Sequence, residues 1–250
     1  MIHRSEILVT AFEPFGGEKL NPTEMVLGRL PDSVCGHAIR KLLLPVEYVK
    51  AREFAIAEYD RLLPAAVIML GQAGGRNAIN LETTAENVMN GSDPDNAGFR
   101  PDHTPVVAGG ADTLRSTLPI DKMIQAVEAL GIPCVESGCA GEYVCNALFY
   151  GMLHHNKGSV PTGFIHVPYV REQGHEESPF MELETIYLGI LAALEAVATE
   201  VIGPICPLKG KRRRSFHLRG QMTEEFPVFS EKMKWSLEES KKTTSRASTG

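Results

Sequence analysis

Short apolar runs alternate with segments of helical spacing along the first 200 residues. The runs are typical of buried strands, while Asn21-Pro22 and Gly131 supply the start signal of one helix and the stop signal of another. Strands that alternate with helices favour a mostly parallel sheet covered on both faces, so the pattern predicts an α/β fold. The predicted strands are Glu6–Thr10, His37–Leu44, Ala65–Leu70, Ile132–Glu136 and Gly163–Val167, and the predicted helices run from Asn21 to Leu30, Val46 to Arg61, Ile120 to Leu130, Gly141 to His155 and Glu182 to Glu200.

The segment 76–118 has weaker periodicity than its neighbours. It contains one predicted strand, Ile79–Thr84, and a cluster of turn-forming residues at Asn90–Asn96. We interpret the rest of this segment as loop. Sheets of parallel strands place their sites at the carboxyl ends of the strands, so we expect functional side chains there.

Length and composition restrict the class of protein. With 250 residues, 43% hydrophobic and 22% charged, the chain is expected to be a soluble domain, alone or with a tail. The longest apolar stretches, such as Ala65–Leu70 and Ile190–Val197, are far shorter than the roughly 20 residues needed to cross a bilayer. Because residues 1–6 also lack the basic and apolar regions of a secretory signal, we expect a cytoplasmic protein without a membrane partner.

Charge divides the chain near residue 200. The net charge is −6, yet residues 201–250 hold eleven Lys and Arg against five Glu. We therefore predict a folded domain over residues 1–200 and a basic, disordered tail over residues 201–250. The run Lys209–Arg214 could neutralise phosphates, but a short basic run is usually a solvated surface, so a nucleic-acid partner is not expected.

Cys145 is the first candidate for chemistry. The five cysteines are an odd number in a chain large enough to fold without disulfides, which indicates free thiols. Cys145 lies in the first turns of a predicted helix, where the helix dipole and unpaired amides favour a thiolate. It also lies on the apolar face of that helix, where an inert, buried cysteine is common. Cys139, in the preceding turn, is a rival on the same reasoning.

His166 and Glu82 could complete a catalytic set. His166 lies near the carboxyl end of a predicted strand, on the same side as Phe164. Glu82 is an acid among mainly uncharged residues, which suggests a partly buried carboxylate with a partner. A histidine could deprotonate Cys145 while Glu82 orients the imidazole. The alternatives are a packing histidine and a surface glutamate; His154, His155 and His175 are expected at the surface.

Two other kinds of site are disfavoured. Cys134, Cys139 and Cys145 lack the tight spacing of structural zinc ligands, so no metal is expected at these cysteines or at His154 and His155. The glycine-rich segment Gly71–Arg76 has neither dinucleotide-binding nor P-loop spacing. Because this segment could still hold a phosphate with its backbone amides, a phosphate-using nucleoside phosphorylase is a weaker hypothesis.

Several segments together make the chain recognisable. In these segments and their order, the sequence resembles the pyrrolidone-carboxyl peptidase (pyroglutamyl peptidase I) family of cysteine peptidases over residues 5–200. The matching segments are Thr10–Gly17 (Thr-Ala-Phe-Glu-Pro-Phe-Gly-Gly), Gly71–Arg76 (Gly-Gln-Ala-Gly-Gly-Arg), Ala140–Asn146 (Ala-Gly-Glu-Tyr-Val-Cys-Asn) with Leu148–Gly151, and Gly163–Tyr169 (Gly-Phe-Ile-His-Val-Pro-Tyr).

The resemblance implies a fold, an activity and a set of site residues. The fold is a three-layer α/β/α sandwich, and the activity is removal of an N-terminal pyroglutamyl residue from peptides, without a cofactor, by a homotetramer. The family nucleophile falls on Cys145, the general base on His166 and the third member on Glu82. Apolar walls and a few hydrogen bonds suit a small neutral lactam. The substrate positions fall on Phe12, Phe15, Gln72, Tyr143 and Val144.

Three positions depart from the family pattern. Ser92 and Thr83 stand where members of the family often carry arginine, and Ala11 stands where glycine is usual. Loss of an arginine near the site could weaken transition-state stabilisation. A non-catalytic binding protein of the same fold is therefore the alternative hypothesis.

Overall fold

A computed structural model describes residues 5–203 of the chain, as an alternation of strands and helices. The strands are β1 (Glu6–Phe12), β2 (Ser33–Val34), β3 (His37–Leu44), β4 (Ala66–Gln72), β5 (Ile79–Glu82), β6 (Thr84–Glu86), β7 (Thr113–Arg115), β8 (Cys134–Ser137) and β9 (Thr162–Val167). The helices are α1 (Pro22–Arg29), α2 (Tyr48–Leu62), α3 (Ile120–Glu128), α4 (Val144–Asn156) and α5 (Leu183–Val197), with a short 3₁₀ turn at Arg171–Gln173 and a π-helical turn at Ala198–Ile202.

Seven strands form one mixed sheet in the order β2-β3-β1-β4-β9-β5-β8. The strands β3, β1, β4 and β9 are parallel to one another, as the apolar runs predict. The strand β5 pairs antiparallel with β9 and parallel with β8. The strands β6 and β7 form a separate antiparallel pair. The strands β5 and β8 therefore run antiparallel to β3, β1, β4 and β9.

Two apolar cores make this a three-layer α/β fold. Alternate residues of each central strand enter opposite cores: Ile7 and Val9 of β1 enter one, and Leu8 and Phe12 enter the other. The first core packs the sheet against α1, α3 and α5, and the second packs it against α2 and α4. The predicted fold class is confirmed.

The element boundaries differ from the prediction at the loops. The helix predicted from Gly141 begins instead at Val144, because Gly141 adopts a left-handed φ of 77° in the preceding turn. The segment 76–118 contains three short strands instead of one. The long last helix ends at Val197 and continues as the π-helical turn, whose following Gly203 carbonyl accepts a hydrogen bond from His37 Nε2 at 2.9 Å.

The rest of the predicted basic tail, including Lys209–Arg214, lies outside the described residues. The predicted boundary at residue 200 and the disorder of the tail therefore stay predictions. Among the helices that the structure describes, none combines the length and the apolar character required to cross a membrane.

Candidate active site

The first turn of α4 positions Cys145. The helix begins at Val144 after Tyr143, which has extended backbone angles, so Cys145 is the second helical residue and lies among the unpaired amides of the helix start. The side chain of Asn146 anchors this turn, since its Oδ1 accepts from the Glu86 amide at 2.9 Å and its Nδ2 donates to the carbonyls of Glu86 and Val88 at 2.9 and 2.8 Å. Asn146 is completely buried, and its three bonds fix the position of the cysteine.

Strand pairing brings Glu82 to His166. In the antiparallel register, Asn80 lies opposite His166 and Glu82 lies opposite Phe164. Residues two apart on a strand share a face, so Glu82 and His166 both lie on the face that packs against α4. His166 Nδ1 lies 2.8 Å from Glu82 Oε1, and the two residues are 3% and 0% exposed. Because a carboxylate only accepts, Nδ1 carries the proton in the neutral imidazole, which leaves Nε2 able to accept one.

Cys145 and His166 line one cleft of about 460 Å³. Gly71 on β4 pairs in register with His166, and a Cβ atom placed on Gly71 would lie 2.9 Å from Cys145 Sγ and 2.7 Å from the Phe164 ring. The thiol therefore sits directly over the strand beside the histidine. Over residues 5–203 no hydrogen bond joins the Cys145 thiol to the His166 imidazole, whose Nδ1 contacts Glu82.

Burial controls the protonation of both groups. Burial, followed by the negative charge of Glu82, raises the pKa of the Cys145 thiol to about 12, and the cysteine's own amide and Arg76 only partly oppose this. Burial also lowers the pKa of His166 from its usual 6.5, although Glu82 favours the charged ring. The helix dipole by itself favours a thiolate at Cys145. In the structure burial outweighs that dipole and shifts both the thiol and the imidazole toward their neutral forms.

Arg76, the last residue of the glycine-rich segment Gly71–Arg76, is a site residue for which the sequence predicts no role. Its Nη1 donates to Glu82 Oε1 at 2.9 Å and to Ser137 Oγ at 3.2 Å, and its Nη2 donates to the carbonyl of Cys139 at 3.3 Å. An arginine after a glycine-rich turn, six residues before a buried glutamate, was the available signal. The loop between β4 and β5 brings the Arg76 guanidinium against the Glu82 carboxylate.

A second, mainly apolar hollow adjoins Cys145. It brings together the five side chains expected to bind substrate, and its lining adds two that the sequence analysis did not place there, Asn21 and Val46. Asn21 Nδ2 donates to the carbonyl of Glu13 at 3.1 Å, which ties the start of α1 to the loop after β1. The complete lining is Phe12, Phe15, Asn21, Val46, Gln72, Tyr143, Val144 and Cys145.

The rival residues lie elsewhere. Cys139 is exposed, and its sulfur accepts a hydrogen bond from the Gly141 amide at 3.4 Å. His155 pairs with Asp60 on the surface, and His154 is exposed. His175 is half-buried and bonds at 2.6 Å to Glu18, which lines the cleft that Cys145 and His166 share. Within the described part of the chain, no three His, Cys, Asp or Glu side chains are grouped to hold a metal ion.

Two of the three departures from the family pattern, Ser92 and Thr83, occupy different environments. Ser92 is exposed and its hydroxyl donates to Asp93 Oδ2 at 3.1 Å, beside a larger cleft of about 820 Å³ that also includes Phe15 and Tyr143. Thr83 is buried, and its amide and hydroxyl both donate to the Ser137 carbonyl. Thr83 therefore belongs to the pairing of β5 with β8, and the cation beside Glu82 comes from Arg76.

Comparisons with known proteins agree with the geometry. The family model for pyroglutamyl peptidase matches residues 5–200. The pyrrolidone-carboxylate peptidase of Lactobacillus helveticus is 41% identical over 197 residues, which cover 77% of this chain and 98% of that protein. The pyrrolidone-carboxylate peptidase of Thermococcus kodakarensis is 41% identical over 196 residues, with coverages of 77% and 95%.

Solved structures show the same relationship. A variant of the pyrrolidone carboxyl peptidase of the hyperthermophile Pyrococcus furiosus aligns with a TM-score of 0.76 and 36% identity, over 78% of this chain and 99% of that one. Pyroglutamyl peptidase I of Bacillus amyloliquefaciens aligns with a TM-score of 0.76 and 31% identity, over 78% and 96%. Since the family model spans most of the chain and these relatives align along nearly their whole length, the chain belongs to the pyroglutamyl peptidase family of cysteine peptidases.

Proposed function

We propose that this protein is a cysteine exopeptidase that hydrolyses the bond after an N-terminal pyroglutamyl residue of peptides. Cys145 is the nucleophile, His166 the general base and Glu82 the group that orients the imidazole. The observation that carries the proposal is the buried 2.8 Å contact between Glu82 and His166, whose ring lines the same cleft as Cys145. Nucleophile, base and orienting acid are the three parts of a catalytic triad.

The proposed reaction has two stages. His166 Nε2 takes the thiol proton as Cys145 Sγ attacks the carbonyl carbon between the lactam ring and the next residue. The amides at the start of α4 are placed to stabilise the developing oxyanion. His166 then returns the proton to the leaving amine, the C–N bond breaks and a thioester remains. Water, deprotonated by His166, attacks the thioester, releasing pyroglutamic acid and restoring the thiol.

The lining of the hollow beside Cys145 suits the ring chemically, although its free volume of about 10 Å³ means that the walls must part to admit the ring. Pyroglutamate is a neutral lactam, so it needs apolar contact and hydrogen-bonding groups rather than a carboxylate for an ammonium group. Phe12 and Val144 supply buried apolar walls, and Gln72 supplies a polar amide. Gln173 Nε2 donates to Gln72 Oε1 at 2.8 Å, which directs the Gln72 amino group away from that bond. No carboxylate lines this hollow among the described residues, so a free amino terminus has no ionic partner there.

The test is hydrolysis of a chromogenic pyroglutamyl amide. We expect cleavage by the wild type and loss of at least about 1,000-fold in kcat with Cys145→Ala, because removing the nucleophile leaves only binding and oxyanion stabilisation. Cys139→Ala is the matched control and should keep full activity. The corresponding prolyl and glutaminyl amides should not be cleaved. An inactive wild type, or a Cys145→Ala enzyme as fast as the wild type, contradicts the proposal and favours the non-catalytic alternative. The homotetramer and the cytoplasmic location stay predictions.

A further inference from the structure

A fixed cation lies against the proposed catalytic carboxylate. Arg76 Nη1 and His166 Nδ1 both contact Oε1 of Glu82, at 2.9 and 2.8 Å. The guanidinium is itself held by the Ser137 hydroxyl and the Cys139 carbonyl, from the strand β8 and the turn before α4. Its side chain is 26% exposed, whereas Glu82 is completely buried. The oxygen that orients the imidazole is therefore shared with an arginine.

The charges around Glu82 require this second partner. A buried carboxylate is stable only when it is paired. If His166 were the sole partner, the carboxylate would favour a protonated ring, which cannot act as a base. Arg76 supplies a permanent positive charge instead. The charged and titratable groups that meet here are Glu82 from β5, His166 from β9, Cys145 from α4 and Arg76 from the loop after β4, while Glu18, Tyr143 and Tyr169 line the same cleft.

We propose that Arg76 is a positioning residue of the catalytic machinery, which neutralises Glu82 so that the carboxylate can orient His166 without holding it in its charged form. This inference rests on the proposed function for its kinetic consequences. In this role Arg76 has two effects, and both favour the reaction. Before attack the ring stays neutral and can take the thiol proton, and after attack the nearby cation favours transfer of that proton from Nε2 to the leaving amine. The electrostatic influence of Arg76 on both His166 and Cys145 is consistent with this role, since it lowers the pKa of each.

The kinetic test compares pH profiles of kcat/KM in four variants of the site and one control variant. In Arg76→Gln the acid limb should move to higher pH by about one unit, because Glu82 is then balanced by the imidazole alone. In Arg76→Lys, which keeps the charge, the limb should stay at the wild-type position although the rate falls. In Glu82→Gln the limb should move to lower pH, and the double variant should lie between the single ones. Arg61→Gln, which breaks a surface pair with Glu58 on α2, is the control for loss of an arginine.

The second measurement needs no turnover. Carbon-13 labelled histidine allows the His166 titration to be followed by NMR, with His166→Gln identifying its signal among the eight histidines. We expect the same upward shift in Arg76→Gln, and no shift in Arg76→Lys or Arg61→Gln. If the wild type cleaves no pyroglutamyl amide, the proposed function fails while this titration still decides the role of Arg76.

Several results would contradict the proposed role of Arg76. A His166 titration in Arg76→Gln that matches the wild type overturns the inference, as does an equal upward shift in Arg76→Lys. A purely structural arginine would lower the rate and the melting temperature without moving the acid limb. Should Arg76→Gln fail to fold, Arg76→Lys and Glu82→Gln carry the test, since an unmoved titration in Glu82→Gln contradicts the shared charge balance.

Discussion

Burial decides the chemistry of the site at the scale of single residues. The Cys145 thiol and the His166 imidazole are both displaced toward their neutral forms, because a charged group near the apolar second core loses solvation. In the proposed reaction, the thiol stays neutral until a substrate carbonyl and the imidazole are both in place. In that mechanism the helix start and Arg76 stabilise the negative charge that then develops.

The first prediction concerns the acid limb of the pH profile. In the proposed mechanism His166 must be unprotonated to accept the thiol proton, and burial lowers its pKa from the usual 6.5. The value of kcat/KM should therefore hold as pH falls through 6.5 and decline only at lower pH. The measurement is kcat/KM for a pyroglutamyl amide across the acid range, corrected for enzyme inactivation. A limb centred above pH 6.5 would show that Glu82, rather than burial, has the larger effect on the pKa of the imidazole.

The second prediction concerns Gly71. A Cβ atom there would meet Phe164 ring carbons at 2.7 Å and Cys145 Sγ at 2.9 Å, so Gly71→Ala must push the thiol or the ring aside. We expect kcat to fall by about 100-fold, because an ångström of misplacement is costly for a reacting group. Gly28→Ala is the control, since a Cβ on that exposed residue of α1 meets nothing within 4 Å. Equal activity of the two variants would show that the sulfur is not held over β4.

At the scale of elements, α4 is fixed at both ends by buried asparagines. Asn146 ties the first turn to the segment 86–88, while Asn156 near the last turn donates to Thr162 Oγ1 at 2.6 Å and accepts from the Gly158 amide at 2.9 Å. Both side chains are buried, but only Asn146 adjoins Cys145. The helix therefore offers a matched pair of anchors, one at the site and one away from it.

The third prediction separates these two anchors. Asn146→Ala leaves part-buried backbone groups of Glu86 and Val88 without that partner. Asn156→Ala removes the partner of the buried Thr162 hydroxyl and of the exposed Gly158 amide, so each variant should lose about 1 to 3 kcal/mol of unfolding free energy. Only Asn146→Ala should also lower kcat, because it frees the turn that carries Cys145. Denaturant unfolding gives the stability and amide hydrolysis gives kcat. If Asn156→Ala slows the reaction as much as Asn146→Ala, general loosening of the fold explains the effect and the local anchor does not.

The sequence predicts some elements better than others, for physical reasons. The strands β1, β3, β4 and β9 are apolar runs between clear turns, so their positions and parallel pairing follow from pattern. The short β5 and β8 are less distinct, and nothing in their composition indicates that β5 runs against β9. That orientation places Glu82 diagonally from His166.

Within the site, the sequence predicts individual residues better than the contacts between them. Cys145 and His166 have local signals, namely a helix start and a strand end, but family resemblance is needed to choose them over packing roles. The Arg76 contact with Glu82 depends on the path of the loop between β4 and β5, and therefore emerges only from the structure.

At the scale of the whole molecule, the described residues contain both cores and every proposed site residue. One core packs α1, α3 and α5 on the sheet, and the other packs α2 and α4. The relatives match 77 to 78% of this chain but 95 to 99% of their own lengths. Folding and the proposed catalysis should thus depend on the part of the chain that this family shares.

The last prediction tests this independence by truncation. A chain ending at Gly203 keeps both cores and the His37 contact with the Gly203 carbonyl, so its melting temperature should stay within about 2 °C of full length and its kcat/KM should be unchanged. A chain ending at Val197 is the matched control. It loses that contact and the completely buried Ala198, and should melt at lower temperature. Calorimetry and amide hydrolysis measure the two properties. Loss of stability or activity in the longer truncation would mean that residues 204–250 stabilise the domain or take part in its reaction.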